Sequence, residues 1–338
     1  MASIKDVAAH AGVSTTTVSR VLAGAAAVRP AVRQTVQRAI AELGYRPNLA
    51  ARRLRQQRAS IVGLIVSDIR NPYFTEIGRA VEDMAYRNGL RLILCNSDED
   101  AAKESAYLEL MADEQACGVI LSATPERLAK LASPPPYPLV LIDRAPERLD
   151  PAAMTDVVQI DNVGAARRLT QHLLDHGHRR ITALVGARST TGQQRRAGFE
   201  AALQAQGLPA PARLLPPTAE AARAATLELL ATDERPQALL ATNGLLLLGA
   251  AQALQQRGLR VPADIALAGF DNNDWTALLP PGITVIAQPT LEIGRTAVEL
   301  LLQRIKEPAR TPRRVVLDGE LLVRGSSARR AASDQGAC

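Results

Sequence analysis

From Ile61 onward the chain alternates short, almost wholly apolar runs with helical stretches, and that alternation leaves few folds open. IVGLIV at 61–66 precedes a helical segment around 73 to 88. Then come LRLILC, a second helical segment around 102 to 116, GVIL, and LVLI after the proline cluster 134 to 138. A strand with one wet face alternates apolar and polar residues, whereas a run apolar at every position is buried on both faces, as in a parallel sheet covered by helices. The pattern returns in ITALV, ALLAT and IALAGF. Two α/β lobes with parallel sheets are expected, with a binding site in the crevice outside the carboxyl ends of the strands. A length of 338 residues with 47% apolar content suffices for cores of that size.

The first sixty residues differ in kind. They carry ten Lys or Arg against Asp6 and Glu42, while the other 278 residues carry thirty basic against thirty-two acidic side chains. A small basic head on a nearly neutral body is the charge pattern of a module that meets phosphate. Ser3 can cap a helix with Asp6 three residues on, and Ile4, Val7, Ala8 and Ala11 share its apolar face. Gly12 stops that helix, and Ser14 can cap a second in which Val18, Val21 and Leu22 face inward. Thr15, Thr16, Thr17 and Arg20 are left outward. Two short helices and a tight turn make a helix-turn-helix, in which Thr15 and Thr16 meet base edges in the major groove and Arg20 reaches a guanine or a phosphate. Residues 28 to 44 form a third amphipathic helix through Val32, Val36, Ile40 and Leu43. LAARRLRQQR, beyond Tyr45-Arg46-Pro47-Asn48, is too short to be a stable helix alone. On composition it is a basic linker or a helix formed on a partner.

The strings IKDVAAHAGVSTTTVSRVL, LGYRPNLAARRLR, RNPYF, RRAGF and GFDNND, in that order, resemble the lactose-repressor (LacI/GalR) family of bacterial transcription regulators. The resemblance reaches to about residue 325. Ala23 departs from the asparagine usual after the recognition helix, so one polar contact to DNA is missing and the operator preference of relatives does not carry over. The resemblance implies a hinge helix in the minor groove, with Leu54 wedged between base steps, Arg52, Arg53 and Arg55 on the backbone or groove floor, and Asn48 in the DNA-binding set. It implies a headpiece at 1–46, a hinge at 47–59 and a periplasmic-binding-protein-like body at 60–325. Lobe 1 then takes about 60–160 and 289–318, lobe 2 takes about 161–287 and 319–325, and the chain crosses between them near 161, 288 and 319. The remainder, 326–338, reads as a disordered tail without a tetramerising leucine heptad.

The expected function is that of a homodimeric repressor on a near-palindromic double-stranded operator, controlled by a small carbohydrate-type effector in the cleft. A solute receptor without a DNA role is the alternative. No apolar signal segment or membrane-spanning run is present, and three unpaired cysteines fit a reducing cytoplasm.

Ligand contacts are expected at strand ends. Asn71, Tyr73 and Phe74 offer an amide and two rings, and Asp143 and Arg144 follow LVLI. Arg195 opens RRAGF, and the resemblance makes it a ligand-holding arginine, with Thr191 and Arg188 as weaker candidates. Asn243, Asp271 and Gln288 match polar positions of the family. Where members responding to neutral sugars commonly read Asn-Asp, this chain reads Asn243-Gly244. Loss of that carboxylate beside converging arginines predicts a positive pocket and an anionic effector, a sugar acid or sugar phosphate, with a neutral sugar or a purine as alternatives. Trp275 is either pocket wall or core. His172, His176 and His178 lie close in sequence, but without a third ligand type they read as a helix end and strand entry rather than a metal site. Asp98-Glu99-Asp100 reads as helix capping. With no phosphate loop and no nucleophile elbow, neither catalysis nor a cofactor is expected.

Overall fold

The computed structural model describes residues 3–22, 28–45, 60–131, 135–148 and 150–328. The chain divides into two units at Ala59 and Ser60. In the first, α1 (Ile4–His10), α2 (Thr15–Leu22) and α3 (Pro30–Glu42) enclose a core of Val7, Ala8, Val18, Val21, Val36 and Ala39. The capping box forms as the sequence predicts: the Asp6 amide donates to Ser3 Oγ at 3.3 Å, and the Ser3 amide donates to Asp6 Oδ2 at 2.8 Å. Gly12 takes a left-handed φ of 63°, which lets the chain reverse before Ser14. The Ser14 hydroxyl then accepts the Thr17 amide at 3.2 Å. Residues 46–59, which carry Asn48, Arg52, Arg53, Leu54 and Arg55, and residue Ala23 lie outside the described residues.

The second unit contains two six-stranded sheets. The first comprises β1 (Ile61–Val66), β2 (Arg91–Asn96), β3 (Gly118–Leu121), β4 (Leu139–Ile142), β5 (Thr155–Ile160) and β11 (Arg314–Leu317), ordered β11-β5-β4-β3-β1-β2 and parallel throughout. The second comprises β6 (Ile181–Gly186), β7 (Ala212–Leu215), β8 (Ala238–Ala241), β9 (Ala266–Phe270), β10 (Thr284–Ala287) and β12 (Glu320–Leu322), ordered β12-β10-β9-β8-β6-β7. Only β12 runs antiparallel to its neighbour among the described pairs. Inner strands such as β1, β3, β4, β6, β8 and β9 are buried at every position, as their unbroken apolar runs require.

The helices after these strands are α4 (Pro72–Arg87), α5 (Ala101–Asp113), α6 (Pro125–Leu128), α7 (Asn162–Asp175), α8 (Thr190–Gln204), α9 (Ala219–Leu230), α10 (Gly244–Gln256), α11 (Asp274–Leu278) and α12 (Thr290–Lys306). The chain passes from β5 to α7 on the second sheet, from β10 to α12 on the first, and from β11 to β12. No described helix is long and apolar enough to cross a membrane.

Two expectations change. The disordered tail predicted from Ser326 does not hold for its first residues, because Gly325–Ser327 is a 3-10 turn in which both serines are fully buried, and residues 329–338 lie outside the described residues. Ser326 Oγ donates to the Leu267 carbonyl at 2.5 Å and accepts the Thr284 amide at 2.8 Å. Ser327 Oγ meets Thr284 Oγ1 at 2.6 Å and His172 Nε2 at 2.7 Å. Small hydroxyls that look like tail composition here satisfy buried polar groups. Trp275, left open between pocket and packing, packs against the lobe 2 core.

Candidate functional site

A strand end is where a parallel sheet stops pairing and the chain is free to place polar side chains. In this body every candidate ligand contact follows such an end. Asn71 comes after β1, Asp143 and Arg144 after β4, Thr191 and Arg195 after β6, Asn243 after β8, Asp271 after β9 and Gln288 after β10. One cavity between the lobes is lined by all ten predicted residues: Asn71, Tyr73, Phe74, Asp143, Arg144, Thr191, Arg195, Asn243, Asp271 and Gln288. Its volume is about 50 Å³, well under the roughly 300–1,000 Å³ of ordinary small-molecule pockets. The side chains bond to one another across it, so any larger ligand would have to displace those bonds or part the lobes.

Arg195 is the best-held of the set. It is 3% exposed, and its Nε donates to Asn162 Oδ1 at 2.8 Å, Nη1 to the Thr242 carbonyl at 2.6 Å and Nη2 to Gln288 Oε1 at 3.1 Å. Its guanidinium lies over the Phe270 ring, 4.1 Å from the centroid. Gln288 continues the chain, donating from Nε2 to Asp271 Oδ1 at 2.5 Å, and Asp271 Oδ2 accepts the Gly244 amide at 2.7 Å. Arg195 therefore ties α8, the end of β8 and the second crossover into one network.

Asn71 and Asn243 cap α4 and α10 through their side-chain oxygens, on the Tyr73 and Leu246 amides. Tyr73 and Phe74 are buried edge to face, with ring centroids 5.0 Å apart. Burial, followed by the Asp143 charge, holds the Tyr73 phenol well above its usual range. Burial likewise pushes the Asp143 carboxyl up, against the pull of Arg144 and Arg195. The Thr191 hydroxyl donates to Ser189 Oγ at 3.2 Å.

The expected positive pocket is not what the lining provides. Four carboxylates, Asp68, Glu99, Asp143 and Asp271, and two arginines, Arg144 and Arg195, line it, and Asp68 is paired outside the lining with Arg70 at 2.9 Å. Arg144 gives Nη1 to Glu99 Oε2 at 2.6 Å and Nη2 to Glu99 Oε1. Arg188 lies outside the lining and pairs with Glu126 on α6 at 3.1 Å, both exposed. At Gly244 a Cβ would come 2.7 Å from Asn273 Nδ2 and 3.1 Å from Asp271 Oδ2, so the carboxylate absent from residue 244 would compete for space already held by Asp271.

Glu99 escaped the sequence reading because Asp98-Glu99-Asp100 looked like capping. Only Asp100 caps, accepting the Ala102 and Lys103 amides. Asn162, Thr242 and Phe270 were missed because their roles lie in what they do to Arg195, which no local pattern encodes. The general signal was available for Glu99, since a buried arginine needs a carboxylate partner.

The three histidines make no shared ligand set. His172 Nε2 meets Ser327 Oγ, His178 Nε2 meets the Ser327 carbonyl at 3.2 Å and His176 Nδ1 meets the His172 carbonyl at 2.8 Å. Burial lowers the pKa values of His172 and His178. On the headpiece, Thr16 and Arg20 of α2 are exposed and Thr15 half-buried. The Thr17 hydroxyl sits 3.0 Å from Ser14 Oγ, within the cap.

Residues 3–48 match the model of bacterial regulatory proteins of the lacI family, and residues 170–327 match a periplasmic binding protein-like domain. The chain is 36% identical to the HTH-type transcriptional repressor PurR of Aliivibrio fischeri, over 98% of this chain and 99% of that protein. Among solved structures, a lac repressor dimer bound to operator and the anti-inducer ONPF superposes with a TM-score of 0.84 at 26% identity, covering 97% of this chain and 99% of the other. The transcriptional regulator CelR in complex with cellobiose superposes at 0.70 with 31% identity, over 96% of this chain and all of the other.

Proposed function

Because the chain belongs to the lacI family and is a DNA-binding transcriptional repressor, we propose that a small polyhydroxylated ligand in the interlobe cleft governs its hold on operator DNA. The observation that carries this reading is the convergence of polar side chains from both lobes and from the second crossover on one cavity. Carboxylates, amides and guanidinium donors suit a dense set of hydroxyls, and the Tyr73–Phe74 pair suits the C–H faces between them. A ligand that binds one lobe arrangement better than another shifts the population of that arrangement, and by linkage operator and ligand change each other's affinity by the same factor.

On the DNA side, α2 enters the major groove with Thr15, Thr16 and Arg20 outward, and Thr17 supports the cap. Segment 47–59 is the hinge, with Leu54 as its wedge. The working form is a homodimer on a two-fold operator, in the cytoplasm where that DNA lies. Leu94 on edge strand β2 with Ile69 nearby, Leu110 on α5, and Leu214 on edge strand β7 supply exposed apolar surface for pairing.

The test uses an operator selected from random DNA by the protein itself, with fluorescence anisotropy read during titration with cellobiose, ribose, glucuronate, ribose 5-phosphate and guanine. A sugar-type ligand is expected to change operator affinity by about tenfold, within the usual coupling range. Arg195→Ala is expected to lose the response while keeping ligand-free operator affinity. A response undiminished in Arg195→Ala would remove the cleft from the mechanism, and a response to guanine alone would replace the ligand class.

A further inference from the structure

Arg144 is 5% exposed and has given the two ends of its guanidinium fork to one carboxylate. That fork-to-carboxylate geometry is how proteins bind an anionic ligand, yet here the anion belongs to the chain itself. Arg144 Nε, by contrast, is buried without a hydrogen-bond partner, and the nearest charge to it is Asp143 Oδ2 at 3.5 Å. Neither end of the fork is left for a ligand anion.

The backbone that delivers Glu99 is strained and pinned. Asp98 and Glu99 take φ of 51° and 60°, two consecutive side-chain-bearing residues in the left-handed region, which a glutamate rarely enters. The Glu99 amide donates to the Ser67 carbonyl at 3.2 Å, and the Asp100 amide to the Ser97 carbonyl at 2.9 Å. Asp98 is held by Asn96 Nδ2 at 2.8 Å and Lys103 Nζ at 2.5 Å. Helix capping alone would need Asp100 and no strain at Glu99.

We infer that Glu99 sets the charge class of the ligand: its carboxylate occupies Arg144 in place of a ligand anion, so the cleft admits neutral polyhydroxylated molecules and refuses sugar acids and phosphates. This rests on the cleft being the effector site, and it reverses the anionic effector expected from Asn243-Gly244. A ligand carboxylate arriving at Arg144 meets Glu99 and Asp143 on the same guanidinium, with Asp271 also in the lining. Like charges held in a site of low dielectric repel strongly, and rejection of the wrong ligand by such repulsion is a common source of specificity.

The experiment is calorimetric titration of the full-length protein with inorganic phosphate and with glucuronate, on wild type, Arg144→Met, Glu99→Gln and Glu99→Gln/Arg144→Met, with circular dichroism as the check on folding. Wild type is expected to show no saturable anion binding. Glu99→Gln keeps the size of the side chain and frees the guanidinium, and is expected to show saturable binding of glucuronate or phosphate, at least about tenfold tighter than the weakest binding the titration would detect in wild type, the scale of one charge-assisted hydrogen bond. The added Arg144→Met is expected to abolish that gain.

Saturable binding of either anion to wild type that is lost in Arg144→Met would overturn the inference without needing the glutamine variant to fold. So would a folded Glu99→Gln with no gain, the result a merely structural Glu99 gives. Operator affinity is read in the same samples. Anion binding to Glu99→Gln that leaves operator affinity untouched would uphold the charge role and overturn the cleft as the controlling site.

Discussion

At Asp143 burial and backbone conformation act on the same residue. Its φ of 64° lies in the left-handed region, where asparagine is more at ease than most residues, and burial raises its carboxyl pKa. A carboxyl raised in the folded state carries a penalty that is full above its folded pKa and absent below its unfolded one. Asp143→Asn is therefore expected to raise the melting temperature at pH 7, with the gain fading as pH falls through the carboxylate range. A gain that grows on acidification would mean that Asp143 is stabilised as an anion. Arg195 is the opposite case. Arg195→Lys keeps the charge but not the planar fork that reaches Asn162, Thr242 and Gln288, so effector response is expected to fall about as far as in Arg195→Ala. Full rescue by lysine would show that charge alone matters there.

Elements are tied by groups that no periodicity reveals. Asp156 on β5 is fully buried and accepts Arg304 Nε at 2.7 Å and Nη2 at 3.0 Å from α12, Arg310 Nη2 at 2.6 Å and the Arg313 amide at 2.8 Å. This one carboxylate clamps α12 and the approach to β11 onto β5. Asp156→Ala would strand two arginines and is expected to cost about 3–5 kcal/mol in a denaturant titration. A loss under about 1 kcal/mol would mean water replaces the carboxylate. Inner strands β1, β3, β4, β6, β8 and β9 were legible because burial on both faces demands continuous apolar sequence. Inner strand β5, TDVVQI, was missed because buried Thr155, Asp156 and Gln159 break its run, and four-residue β10, TVIA, was missed as well. The edge strands β7, β11 and β12 were not legible, since ARLL, RVVL and ELL keep one flank in solvent and resemble loop or helix as much as strand.

Across the whole body the lobes are also joined at the surface. Arg188, beyond β6, pairs with Glu126 on α6 across the cleft, with side chains 78% and 47% exposed. Such a pair contributes at most about 1 kcal/mol and is screened by salt. With so little room in the closed cleft, Arg188→Ala is expected to tighten effector binding by up to about fivefold at low salt, an advantage lost at high salt, with the melting temperature nearly unchanged. Weaker effector binding in this variant would assign Arg188 to the ligand rather than to closure. A second grip, from Arg168 Nη2 on α7 to Asp318 Oδ1 at 3.1 Å and the Gly319 carbonyl at 2.8 Å, holds the third crossover to lobe 2.

What the sequence by itself determined is what depends on neighbours along the chain. The caps at Ser3 and Ser14 and the basic head follow from local order and composition, as do the inner strands with unbroken apolar runs. So does the appearance of Asn71, Arg144, Arg195, Asn243, Asp271 and Gln288 at strand ends, because a strand end is a local event. Only the tertiary structure decided which charges meet. Glu99 reaches Arg144 across three strand spacings of the first sheet, and Asn162 reaches Arg195 between α7 and α8. Electrostatic balance in a cleft is set by distances through space, and the reading that predicted a positive pocket, from Gly244 in place of a carboxylate and three arginines expected to converge, contained no such distances.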